Sequence, residues 1–206
     1  MGKEKKVPID RFIKTVNKKY GISLTEKNLP NIKLDASERL ILSQGKDSKY
    51  SPTMLETNDL DELKSWIGTP DKTFDERPCC RSRTISDWLP AGIIGKSKKD
   101  TSRALKRTVD KMKPSEHQKI MHLTKAYLYG DSRPILKYKP LMEAYWDRFR
   151  IPQWWFKRIY VPAGSVITIS PNNAGILLAY SIEIEEGGKV ICNGSMTLDV
   201  TRINKL

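Results

Sequence analysis

The sequence predicts an α+β protein: a basic, mainly helical region over residues 1–150, then a small C-terminal antiparallel β module over residues 151–206. Three observations point there. Charge is segregated: the chain carries 37 Lys and Arg against 24 Asp and Glu. From Ile159 onward there are only three basic residues (Lys189, Arg202, Lys205) and four acidic ones (Glu183, Glu185, Glu186, Asp199), which leaves 34 and 20 in the first 158 residues. The apolar period changes from 3.6 to 2 near Val161. Strand-like runs after that point are separated by strong turn chemistry at Pro171-Asn172-Asn173, Glu186-Gly187-Gly188 and Asn193-Gly194.

The helical region opens with Ile9, Phe12, Ile13, Val16 and Tyr20, one apolar stripe at helical spacing. Pro8 suits the first turn and Gly21 the position just past the end. Leu34 to Gln44 is mixed, with a short apolar run at Leu40-Ile41-Leu42, and Gly45 to Met54 is polar and loop-like. Asn58 can cap a short helix whose face is Leu60, Leu63, Trp66 and Ile67, ended by Gly68 and Pro70. Thr69 to Arg83 carries two prolines and alternating charges and predicts a surface connection. Three more helices are expected: Thr101 to Met112, Ser115 to Tyr129 opened by a Ser115-x-x-Gln118 capping box, and Pro140 to Phe149. Short links between them suit antiparallel helix packing.

In the β module, Ile176, Leu178, Tyr180, Ile182 and Ile184 alternate with Leu177, Ala179, Ser181 and Glu183, and Met196, Leu198 and Val200 alternate with Thr197, Asp199 and Thr201. One motif repeats after 23 residues: Ile159-x-Val161-x-x-Gly164 and Ile182-x-Ile184-x-x-Gly187. Stacked rungs of a right-handed β-solenoid would produce such an echo. Against that, Asn193-Gly194 is a strong two-residue hairpin signal. It sets the expectation at an antiparallel meander or sandwich, with solenoid-like rungs as the alternative.

Length and composition allow one large domain or two small ones, with enough chain for a core without disulfides or metal. Three cysteines, two of them adjacent at Cys79 and Cys80, make no disulfide framework and suggest a reducing compartment. No apolar run approaches the roughly 20 residues of a membrane span. The basic start Met1-Gly2-Lys3-Glu4-Lys5-Lys6 leads into no apolar stretch, and Lys6 stands where an acylation signal wants Ser or Thr. A cytoplasmic protein without a transmembrane segment is expected.

Signals for a reaction centre are weak. Pro90-Ala91-Gly92-Ile93-Ile94-Gly95-Lys96-Ser97 has the end of a phosphate-binding loop, but Pro90 stands where its first glycine belongs. Gly92 and Gly95 leave too short a loop between them to enclose a phosphate. His117 and His122 are five apart, so on a helix they diverge by about 140° rather than sharing a face as zinc-binding pairs do. Cys79-Cys80 lacks the C-x-x-C spacing, although Arg81 and Arg83 would lower a neighbouring thiol's pKa. Pro70-Asp71 and Glu62-Leu63-Lys64 hold the parts of a nuclease core in the wrong order. The sequence therefore predicts no enzyme, no metal and no cofactor.

Two stretches predict binding. Lys96 to Lys113 holds eight basic residues, Lys96, Lys98, Lys99, Arg103, Lys106, Arg107, Lys111 and Lys113, against two acidic ones. A loop and helix of that charge can follow a phosphate backbone and release its counterions. Tyr145 to Tyr160 holds seven of the 17 aromatic residues, interleaved with Arg148, Arg150, Lys157 and Arg158. Exposed, Trp146, Trp154 and Trp155 with Arg150, Lys157 and Arg158 would stack bases or form a partner's hot spot. Buried, the same rings would pack the helical body against the strands. The expectation is a non-enzymatic binding and assembly protein. Its basic region would engage a polyanion, DNA or RNA first among them. Its β module would scaffold or self-associate as a homo-oligomer through a thinly protected edge strand. The alternatives are a structural subunit of a particle or filament contacting acidic protein neighbours, and a nucleotide-dependent enzyme using residues 92–97.

Overall fold

The computed structural model describes residues 7–45, 48–75, 106 and 109–206. It confirms the α+β class but divides the chain differently from the sequence. One unit joins residues 1–55 to 150–206; the other is the intervening segment 56–149. The first unit is mostly strand. The second is mostly helix, and interrupts the first.

The strands are parallel, not antiparallel. In chain order they are β1 (Asn31–Lys33), β2 (Arg39–Ser43), β3 (Thr53–Thr57), β4 (Phe149–Val161), β5 (Val166–Ser170), β6 (Ala174–Ile184), β7 (Lys189–Cys192) and β8 (Ser195–Lys205). One sheet runs β1-β4-β6-β8, with β3 also on β4; the other runs β2-β5-β7. All the pairs in these two orders are parallel. The chain thus passes from a strand of the first sheet to one of the second and back, and each such rung lies in register on the last.

The 23-residue echo is the register itself. Ile159 faces Ile182 and Val161 faces Ile184 across β4 and β6, and Ile167 faces Val190 across β5 and β7. Asn193-Gly194 joins β7 to β8, which belong to different sheets, so it turns a corner and closes no hairpin. The dipeptide supplies a tight turn; stacking of like residues decides what the outgoing strand pairs with. The first rung, β1 with β2, comes from the segment that the sequence assigned to the helical region. Phe149–Val161, expected to be a helix end and hinge, is the longest strand, of 13 residues.

Inside the rungs lies a core of Ile32, Leu34, Leu40, Leu42, Trp154, Phe156, Ile159, Val161, Ile167, Ile169, Leu177, Ala179 and Ile182. Its columns repeat from rung to rung: Leu40 over Ile167 over Val190, and Trp154 over Leu177 over Leu198. The corner that leads from the first sheet to the second is also a column. Ser37, Gly164 and Gly187 occupy it at φ of 64°, 74° and 83°. This left-handed region strains an ordinary side chain, which is why two of the three are glycine. A β-carbon on Gly164 would lie 3.3 Å from the Ser37 Oγ.

Helix α1 (Ile9–Tyr20) follows the predicted stripe, burying Phe12, Ile13, Val16 and Tyr20, with Gly21 at its left-handed end. It packs on β6, where the Phe12 and Tyr180 rings meet edge to face at 6.0 Å. In the second unit, α2 (Leu60–Ile67), α3 (Pro114–Tyr129) and α4 (Lys139–Trp146) pack on one another in sequence. Leu60, Leu63, Trp66, Ile120, Leu123, Tyr127, Leu141 and Met142 are buried there. The caps differ from expectation by a residue or two. Asp59, not Asn58, caps α2, accepting from the Asp61 and Glu62 N–H groups. α3 starts at Pro114, and the Glu116 carboxylate accepts from the Lys113 N–H at 2.7 Å. Of the helix predicted over Thr101 to Met112, only Lys106 and Val109 are described as helical. Among the described residues no helix is long and apolar enough to cross a membrane.

Candidate assembly edge and cationic surface

The last rung is built like the others, and among the described residues no further strand pairs beyond it. β8 pairs with β6 along one edge, from Ala174 opposite Ser195 to Ile184 opposite Lys205, and is the last strand of its sheet. β7 is likewise the last strand of the second sheet. One column displays the consequence. Ile32, Ile159, Ile182 and Ile203 face one another in successive strands. The first three are 2%, 2% and 3% exposed, and Ile203 is 58% exposed. Leu198, below the buried Trp154 and Leu177, is 47% exposed. Cys192, below the buried Ile169, is also exposed. Positions that are core in the two or three preceding strands of a column are surface in the last.

Charged groups flank this edge. Asp199 of β8 accepts from the Lys19 ammonium at 2.9 Å and from the Tyr20 hydroxyl, both on Oδ2. Burial, and then this bond to a carboxylate, pushes the Tyr20 phenol far above its ordinary range. Arg202 stacks its guanidinium 5.1 Å over the Tyr180 ring, and its Nε is buried without a partner. Further back, Arg158 pairs with Glu183, and Tyr160 donates to Glu185, which also accepts from the Ala163 N–H at 3.0 Å. The Tyr160 bond holds the Glu185 carboxyl below its usual range.

The predicted polyanion stretch is only partly in view. Lys96, Lys98, Lys99, Arg103 and Arg107 lie outside the described residues, as do the Gly92 to Ser97 loop and Cys79-Cys80. Lys106, Lys111 and Lys113 are described and all three are exposed. Lys106 lies 3.3 Å from Asp147, itself almost fully exposed. Such a pair contributes little and leaves the cation accessible.

The aromatic stretch is divided among several tasks. Trp154 is 2% exposed in the rung core, and its indole N–H donates to the Tyr50 carbonyl at 3.1 Å. Phe156 is buried beside it, edge to face with Tyr50 at 5.4 Å. Trp146 donates to Thr124 Oγ1 at 2.8 Å within the helical unit and stacks against Tyr145 and Phe149. Trp155 is half-buried, and Lys157 pairs with Glu26 at 2.6 Å. Arg150 is exposed. The six residues named from sequence are therefore not gathered into one stacking face.

Among the described residues no converging acid–base set stands out. The His117 Nδ1 lies 3.1 Å from the Tyr145 hydroxyl, and among the described residues no group of three His, Cys, Asp or Glu is placed to hold a metal. One well-connected polar cluster surrounds Lys64. Its ammonium donates to Asp71 at 2.6 Å and to the Tyr127 and Gly130 carbonyls at 2.8 and 2.9 Å. Asp71 also accepts from the Ser132 N–H and hydroxyl. This ties the ends of α2 and α3 together, and every partner is satisfied, which is the signature of a structural network.

No protein-family model, curated protein or solved structure matches the chain.

Proposed function

We propose that this is a non-enzymatic binding and assembly protein whose rung unit associates through its uncovered end and whose basic helical unit engages a polyanion. The Ile32–Ile159–Ile182–Ile203 column carries the assembly half. An isoleucine more than half exposed, in a position built as core, supports association because covering it recovers what burial withholds. Completing the burial of Ile203 and Leu198 would contribute on the order of 1 kcal/mol each.

The polyanion half is supported by the eight basic residues against two acidic ones over Lys96 to Lys113, inside a helical unit (56–149) of 19 basic and 14 acidic residues, and by the exposed Lys106, Lys111 and Lys113. Nucleic acid is the first candidate, since a run of cations without a built pocket suits a repeating charge. Two measurements test the pair of claims. Sedimentation across a wide concentration range should show association that Ile203→Lys weakens. Binding to mixed-sequence DNA and RNA should weaken with salt, with a log–log slope of magnitude about 3 or more. A slope near zero with association intact would favour the alternative, a structural subunit contacting acidic protein neighbours.

A further inference from the structure

We infer that a second copy of the chain closes the uncovered end, with the two β8 strands antiparallel across a two-fold axis. The dimer presupposes the assembly function proposed above and narrows it to a closed pair.

The two ends of the rung stack are unlike. At the β1–β2 end, Ile32, Leu34, Leu40 and Leu42 are at most 6% exposed, while Leu198 and Ile203 at the β8 end are 47% and 58% exposed. Head-to-tail growth needs an open acceptor at the first end, and those core positions are already covered. A surface that cannot be met by the opposite end can be met by itself, and self-complementary contacts close at two copies.

The sequence of β8 is self-complementary when read antiparallel about a pivot between Val200 and Thr201. Leu198 then lies opposite the partner's Ile203, Asp199 opposite the partner's Arg202, and Thr197 opposite the partner's Asn204. Each contact occurs twice. Apolar residues meet apolar ones and opposite charges meet, the combination that stabilises cross-strand pairs. A parallel in-register contact would put Asp199 on Asp199 and Arg202 on Arg202. The Asp199 carboxylate is already oriented by Lys19 and Tyr20 on Oδ2 and accepts no hydrogen bond on Oδ1 among the described residues. The strand is 11 residues long, so the shared edge spans about 36 Å.

The test is sedimentation equilibrium of the full chain with three variants, each first checked for an unchanged far-UV circular dichroism spectrum and melting curve. The wild type should reach a dimer and stop. Asp199→Lys and Arg202→Glu should each weaken self-association at least tenfold, because each puts like charges opposite each other. Mixed together they should form a heterodimer at near wild-type affinity, because both opposed pairs are then restored. Leu198→Arg, at an exposed site that leaves the fold undisturbed, should weaken the dimer without rescue by either. Open-ended growth would overturn the closed dimer while leaving assembly standing. A dimer indifferent to all three variants would overturn the β8 contact. A monomer at every concentration would overturn both the dimer and the assembly function.

Discussion

Lys64 is a buried cation in the helical unit, held by Asp71 and two backbone carbonyls. Removing one partner of a buried charge pair typically costs 3–5 kcal/mol; with Asp71 about one-third exposed, Lys64→Ala should cost about 2 kcal/mol, read as a lower urea midpoint at constant m-value. Asp71 gives the same cluster a pH dependence. Burial alone would raise its pKa, but the bonds from Lys64 and Ser132 outweigh it and hold the carboxyl below its ordinary range. The folded pKa is thus below the unfolded value of about 3.9. Its contribution is complete above about pH 4 and is lost as pH falls through the folded value. Asp71→Asn should flatten that acid limb when urea midpoints are followed from about pH 5 to pH 2. None of this is legible in the sequence, where Lys64 and Asp71 look like stray pieces of a nuclease core, because nothing local says that a lysine seven residues before Asp71 turns inward. The aromatic stretch is a parallel case. Its composition fits a stacking surface and a packed junction equally, and only the alternation of Trp154 and Phe156 within a strand puts those two rings inside.

Among the elements, the corners and columns of the rungs make the sharpest predictions. Gly187→Ala places a side chain at φ of 83° but meets nothing within 3.7 Å, so strain alone should cost about 1–2 kcal/mol. Gly188→Ala would set its β-carbon 2.8 Å from the Val161 carbonyl oxygen, a backbone atom that cannot swing aside. It should cost more than Gly187→Ala, and denaturant midpoints of the two side by side check the order. Ile167→Ala, in the middle of a buried column, should cost about 2–5 kcal/mol, while Leu198→Ala at low protein concentration should cost under about 1 kcal/mol. Equal losses would mean that the last rung is not open. At this scale α1 was readable to within a residue, because its stripe is strictly helical. The 23-residue echo was readable too, and it is the pairing register. The hairpin expectation prevailed wrongly because Asn-Gly encodes a local bend and not the identity of the next neighbour. β3 and the short β1 and β2 were unreadable as strands, since three to five residues show no period, and β1 and β2 find their partners more than a hundred positions away.

For the whole molecule, the charge boundary near Ile159 does not coincide with the boundary between the two units: residues 1–55 and 150–206 together carry 18 basic and 10 acidic residues, and the inserted segment 56–149 carries 19 and 14. The basic run Lys96 to Lys113 lies within the inserted helical segment, and binding should follow it. Substituting Lys106, Lys111 and Lys113 together with Ala should reduce the salt slope of nucleic-acid binding by about 2–3 without moving the dimer equilibrium; the two titrations, done on one preparation, separate the functions. The insertion also governs synthesis. Arg39 of β2 meets Val166 of β5, 127 positions later. At ordinary elongation speeds the opening strands leave the ribosome roughly 6–25 s before their neighbours exist. Residues 56–149 emerge complete in that interval, so the inserted helices can fold first, while β1 and β2 wait without their partners until β4 and β5 are made.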